Sequence, residues 1–189
     1  MSDRCIKSRG QDGLTIVELM VVLAIMSIVA GAAYSIFASL SRSYTTQNVT
    51  AKSQLGLRIG VDTIVRDIRM AGLDPLNSAD AGIVMATPTA IQFTSDKNLD
   101  GDVDDPAEDI TYELNGDAVL FTDNQGAATL MDHVTDFSFT YYDSAGSITT
   151  IVENIRSVQI SLATSVPAGR AAPVTRQYST RISCRNIGL

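Results

Sequence analysis

Two short stretches hold side chains whose types and spacing could do chemistry. The first is DKNLDGDVDDPAED, residues 96–109, where Asp96, Asn98 and Asp100 alternate ahead of Gly101, with Val103 following. Oxygens at alternate positions around a glycine turn can face one side of a loop, and calcium takes about six to eight of them. By analogy the Asp102 carbonyl and the Asp104 side chain would follow. Ala107 fills the place of the closing glutamate, and Glu108 and Asp109 come just after it. The same residues also read as a solvated acidic loop between strands. The second stretch is GLTIVELMVVLAIMSIVAGAAYSIFASL, residues 13–40, in which Glu18 interrupts an otherwise apolar run. A carboxylate in hydrocarbon costs about 2.5–3.5 kcal/mol at a helix centre, so this charge calls for a partner.

Catalysis finds less support. His133 is the only histidine and falls in an apparent strand, with no Cys or Ser partner in a recognisable motif. There is no phosphate-binding glycine loop, no C-x-x-C and no H-E-x-x-H. Without a nucleophile–base constellation, the expectation is that the protein is not an enzyme.

The elements that must position these residues follow from composition and periodicity. The 189 residues suffice for one good core, and the net charge of −7 argues against a nucleic-acid binder, which would show a basic face to phosphates. Cys5 and Cys184 stand near opposite ends, and processing before Leu14 would separate them, so no disulfide is expected within one mature chain. From Leu19 to Leu40 no residue is charged, which is enough helix to cross a bilayer. Arg4, Lys7 and Arg9 precede it, and a mildly basic flank keeps an N-terminus cytoplasmic.

The apolar run admits three readings: a plain signal anchor, a secretory signal cleaved near VAGAAYS, or a leader cut just after Gly13. The last accounts for more of the residues. Gly13, Leu14 and Glu18, the apolar run and the short basic leader together resemble the prepilin signal of type IV pilins and type II secretion pseudopilins. The resemblance implies cleavage between Gly13 and Leu14 by the membrane-embedded prepilin peptidase, with methylation of the new amine. It also implies that Glu18 pairs with the amine of a neighbouring subunit during assembly. Leu14 stands where phenylalanine is commoner, and Asp12 where a basic residue is frequent. The absence of proline before Pro75 points away from a major pilin.

After Leu40 the chain turns polar, and then Leu57, Val61, Ile64, Val65 and Ile68 recur at helical spacing with Arg58, Asp62, Arg66, Asp67 and Arg69 on other faces. This predicts an amphipathic continuation of the helix to about Met70, ended by Gly72 and Pro75. Beyond Pro75, alternation predicts strands in GIVMA, AIQFTS, DITYELNGDAVLFTD, ATLMDHVTDFSFTYYD, SITTI, NIRSVQISLATS and VTRQYSTRISCRN. Asn115-Gly116 marks a hairpin, and VPAGRAAP, residues 166–173, reads as a loop.

The expected fold class is therefore α+β, a pilin fold in which a long N-terminal helix packs on an antiparallel sheet. The divisions are a leader at 1–13, a membrane or filament helix at 14–40, its amphipathic continuation at 41–74 and a β-rich domain at 75–189. The phrase Arg69-Met70-Ala71-Gly72-Leu73-Asp74-Pro75 and the ending TRQYSTRISCRN resemble PilW-type minor pilins and J-type minor pseudopilins. The resemblance implies a single-pass inner-membrane protein that enters a pilus or pseudopilus, with other subunits and prepilin peptidase as partners. Adhesion or protein secretion is the process such filaments serve. A membrane-anchored calcium-binding recognition module is the alternative from a different class.

Overall fold

The computed structural model describes residues 13, 15–169 and 171–187. Residues 1–12, with Cys5 and the basic flank, and Leu14 beside the expected cut lie outside the described residues. The chain divides into two compact units, Met1–Tyr44 and Thr45–Leu189. One helix, α1 (Ile16–Met70), supplies the described part of the first unit beyond Thr15 and opens the second. Within the first unit its side chains are exposed apart from the half-buried Ala38, and this portion is long and apolar enough to cross a membrane.

In the second unit α1 becomes amphipathic, and Leu57, Val61, Ile64 and Ile68 are buried. The helix stops where the sequence places its end. Gly72 adopts φ +77°, and its N–H donates to the Thr94 carbonyl at 2.9 Å. A Cβ at Gly72 would lie 2.8 Å from Ile187 Cγ1, so a larger residue is excluded by space as well as by backbone.

Eight strands follow in two antiparallel meanders. The first sheet holds β1 (Ile83–Ala86), β2 (Ala90–Thr94), β3 (Asp109–Asn115), β4 (Ala118–Asp123) and β5 (Gly126–Met131) in chain order. The second holds β6 (Val134–Tyr142), β7 (Ser157–Ala168) and β8 (Ala171–Ser183). Asn115 pairs with Ala118 across Gly116, which takes φ +65°, so the Asn-Gly pair closes the hairpin it predicts. Alternate residues of both sheets, including Ile91, Phe93, Tyr112, Phe137, Ile160 and Ile182, join the α1 stripe in one buried cluster. The architecture is α+β and consistent with a pilin fold.

Three local expectations change. The apolar run expected as one strand from Ala128 to Asp143 breaks at Asp132 and His133, and exposed His133 turns the chain at φ +57° between β5 and β6. SITTI makes only a single bridge, Tyr142 to Ile148, because the Asp143 carboxylate takes the N–H groups of Ala145 and Ser147. Ile148 and Ile151 then stay exposed, so the alternation there has no core to serve. VPAGRAAP is mostly strand: Ala168 pairs with Ala171 around Gly169 at φ +67°. Pro167 sits where the register slips between Val166 and Ala168, which is where a residue without an N–H fits.

Tyr112 links the helix to the first sheet by a polar contact inside the core. Its hydroxyl donates to Asp67 Oδ2 at 2.6 Å. Burial first, and then the Asp67 carboxylate, hold the phenol far above its ordinary titration range. Because the folded value is raised, this stability is fully present below the unfolded tyrosine value near pH 10 and is lost as pH rises above it. Tyr112→Phe should lower unfolding stability by about 1.5–3 kcal/mol, the range for a hydrogen bond to a charged group. It should also flatten the fall of stability above about pH 10; denaturant melts across alkaline pH check both outcomes.

Candidate functional site: the helix start and the acidic loop

The N-terminus of α1 is set by Thr15. Its Oγ1 accepts the N–H of Glu18 at 3.3 Å and lies 3.5 Å from Glu18 Oε2, to which it can donate. With Thr15 as N-cap and Glu18 three residues on, this is half of a capping box. The Thr-x-x-Glu spacing from Thr15 to Glu18 is the sequence signal for this cap. Glu18 is exposed, as are Ile16, Val17, Leu19 and Met20 around it. Thr15 is the only hydrogen-bond partner Glu18 has among the described residues for its side chain, and a neutral hydroxyl leaves the charge itself uncompensated. Gly13 is exposed.

The acidic loop connects β2 to β3, as the strand pattern requires. Its ends are tied by backbone bonds from Ser95 N–H to the Glu108 carbonyl at 2.9 Å and from Asp96 N–H to the Leu73 carbonyl at 2.8 Å. Two acidic side chains build the inside of the loop. Asp96, fully buried, accepts the N–H groups of Leu99 at 2.6 Å and Gly101 at 3.1 Å. Those bonds curl the chain so tightly that Leu99 and Gly101 take φ of 68° and 95°. Glu108 is 1% exposed, and its Oε1 accepts the N–H groups of Lys97 at 2.7 Å and Asn98 at 3.2 Å. Its Oε2 is buried without a hydrogen-bond partner.

The outer residues form a chain of side-chain-to-backbone turns. Asn98 Oδ1 accepts the Asp100 N–H at 3.0 Å, Asp100 Oδ1 that of Asp102 at 3.2 Å, and Asp102 Oδ1 that of Asp104 at 3.1 Å. The Asn98 amide donates to Asp100 Oδ2 at 2.8 Å and to Asp105 Oδ2 at 2.6 Å. One oxygen each from Asp100, Asp102 and Asp105 falls within 4.8 Å of the others. Of the sequence-derived candidates, Asp100 and Asp102 contribute side-chain oxygens to this group, though the expectation for Asp102 is its carbonyl; Asn98 bonds to Asp100 and Asp105, and Asp96, Asp104 and Glu108 are not part of the group. Asp105, beside Asp104, completes it. The Asn98 amide, then the Asp102 N–H, hold the Asp100 carboxyl below its ordinary value. Desolvation, then the Asp100 charge, push Asp105 up, and Glu108 adds to this.

The loop is braced from outside as well. The Asn124 amide, in the turn after β4, donates to the carbonyls of Asp104 at 2.6 Å and Asp105 at 3.0 Å, and Ser78 Oγ donates to the Gly101 carbonyl at 3.1 Å. Cys184 is buried, and burial pushes its thiol up to about 11, so it carries no reactive thiolate.

Residues 8–34 match a family model described as the prokaryotic N-terminal methylation motif. The match takes in Gly13, Leu14 and Glu18 and ends within α1. No curated protein matches the chain.

Asn124→Ala should loosen the loop without disturbing the core. The expected result is faster proteolysis within residues 99–107 and a stability loss of about 1 kcal/mol, the usual net worth of such bonds; limited proteolysis followed by mass spectrometry reads it.

Proposed function

Taking the methylation motif as the premise, we propose that the chain is a pilin-like filament subunit, cut after Gly13 by prepilin peptidase and methylated at Leu14. The observation that carries this reading is the coincidence of the motif with a helix start where exposed apolar residues surround one carboxylate. Before assembly the apolar part of α1 anchors the protein in the inner membrane. In the filament, the new amine of one subunit and Glu18 of its neighbour are opposite charges in an apolar surround, where Coulomb attraction is far stronger than in water. The helix N-terminus also favours a carboxylate there. The role is structural, and no catalytic step is assigned.

The finer assignment is a minor pilin acting in filament initiation near the tip. It rests on the PilW-like phrase that ends α1 and on a helix without the proline common in major pilins. A type II secretion pseudopilus would use the same N-terminus. Deleting the gene separates the two: loss of pili with secretion intact supports the pilus, and the reverse result reassigns the subunit.

Mass spectrometry of the mature protein should find a methylated chain beginning at Leu14. A chain beginning between residues 31 and 35 would overturn the reading in favour of an ordinary secretory signal. Position 18 gives a sharper test because Thr15 and Glu18 also share a cap. Glu18→Gln keeps a capping-box side chain and removes the charge. Membrane insertion should persist in Glu18→Gln and Glu18→Ala, while incorporation into filaments should fall in both. Normal assembly of Glu18→Gln would mean that position 18 serves only the cap.

A further inference from the structure

We propose that a small cleft between α1 and β7, inside the Thr45–Leu189 unit, receives a lysine side chain from another polypeptide, with Ser53, Thr164 and Asp132 accepting from its ammonium. Neither the methylation motif nor the filament reading enters into this site.

The cleft lies where the core ends. On α1, Ser53 precedes Leu57 by four residues and so carries the stripe of Leu57, Val61, Ile64 and Ile68 one turn further. On β7, Val158, Ile160 and Leu162 alternate into the core, and Thr164 is the next residue on that face. The two periodicities turn a hydroxyl from each element into the gap, at positions where apolar side chains would pack. Both residues line one cleft of about 220 Å³, together with Gly56, Leu57, Met131 and the exposed Asp132.

Both hydroxyls are left over. Thr164 is 5% exposed, and its Oγ1 is buried without a hydrogen-bond partner, as is Ser53 Oγ. Inside a helix, serine and threonine can bond back to the carbonyl four residues earlier. Thr50 and Thr63 of α1 do so, to Thr46 at 2.8 Å and to Ile59 at 3.0 Å, whereas Ser53 does not. A buried hydroxyl without a partner is an uncompensated desolvation cost that native proteins rarely keep. Valine at 164 and alanine at 53 would avoid it.

The lining selects the occupant. Each polar side chain of the cleft offers an oxygen that can accept, and Asp132 carries the only charge among them. Arg176 pairs with Thr164 across the strands, but its Nη1 donates to the Thr175 carbonyl and it lines a separate cleft with Gln54 and Tyr178. An ammonium has three N–H groups and no acceptor, which matches three oxygens held by α1, β7 and the β5–β6 turn. A guanidinium is a planar fork suited to one bidentate carboxylate, a poorer match. Leu57 and Met131 provide apolar wall for a straight stem, and the volume is below the roughly 300–1,000 Å³ of sites for drug-sized ligands. One long side chain fits this space. A net charge of −7 also favours a cationic partner.

The test uses the full chain in detergent micelles, reads the methyl NMR signals of Met131 and Thr164, and takes Nα-acetyl-lysine methylamide as the probe. The lysine probe should give saturable shifts, and its norleucine analogue, which lacks the ammonium, should bind at least about tenfold more weakly. Asp132→Asn and Thr164→Val should each weaken the lysine probe about tenfold, the scale of a lost bond to a charged group. Thr164→Val should also melt above the parent, because a methyl replaces an unpartnered hydroxyl. Gly56→Leu is an independent variant: a Cβ there meets nothing within 4 Å, so the side chain has room to grow into the cleft. It should abolish binding and raise the melting temperature, since leucine favours a helix over glycine. Equal binding of the norleucine analogue would reduce the cleft to an apolar groove and overturn the proposal. Tighter binding of 1,5-diaminopentane than of the lysine probe would overturn it in favour of a free polyamine. Lysine binding that survives both Asp132→Asn and Thr164→Val, or no saturable shift at all, would overturn it too.

Discussion

The stripe Leu57, Val61, Ile64 and Ile68 is the constraint on which the Thr45–Leu189 unit depends. The last three are fully buried, and each such side chain is worth about 2–5 kcal/mol against truncation to alanine. Two sheets of modest size cannot bury their apolar faces alone, and the helix stripe joins Ile91, Phe93 and Tyr112 of one to Phe137, Ile160 and Leu162 of the other in a single cluster. This fixes the helix axially as well as laterally. Gly72 must stop the helix where its N–H meets Thr94, and Leu73 then offers its carbonyl to Asp96. The acidic loop is thereby placed by the end of a helix packed elsewhere.

Tyr112 shows how that packing accommodates polarity. An aromatic ring in the core brings its hydroxyl within reach of Asp67, which sits on the helix and is partly screened from water. The acid and the phenol satisfy one another, and the exposed Arg66 lies 3.7 Å from the same carboxylate. Among the described residues no such arrangement answers Glu18 or the exposed loop carboxylates. Glu18 has a hydroxyl, and Asp100 and Asp105 share an amide. Neutral donors orient a carboxylate without cancelling its charge.

What the sequence made legible follows from the range of each interaction. The extent of α1, its stop at Gly72 and the Asn115-Gly116 hairpin depend on local chemistry, and all are written in adjacent residues. The strand alternation located β1 to β4, β7 and β8 because their inward residues truly meet the core. It misled at SITTI, where the alternating isoleucines have nothing to pack against, and at VPAGRAAP, where Pro and Gly were accommodated at a register slip and a turn inside a long hairpin. At the loop, spacing marked an acidic turn around Gly101, but which carboxylates converge, those of Asp100, Asp102 and Asp105, depends on the folded turns, including the one in which the Glu108 N–H meets the Asp105 carbonyl at 3.2 Å.

The two sites differ in how their charges can be met, and this separates their roles. Glu18 lies on an exposed helix among side chains that favour hydrocarbon, so a mobile ion gains little there by leaving water. A fixed positive group carried by another apolar helix meets no such penalty, since burying the surrounding apolar surface drives the two together. The loop presents the opposite situation. The carboxylates of Asp100, Asp102 and Asp104 face water, and the loop backbone is held by Asp96, Ser78 and Asn124. A charge exposed among apolar side chains thus calls for a partner carried by another apolar surface, while the loop charges are met by the polar groups around them.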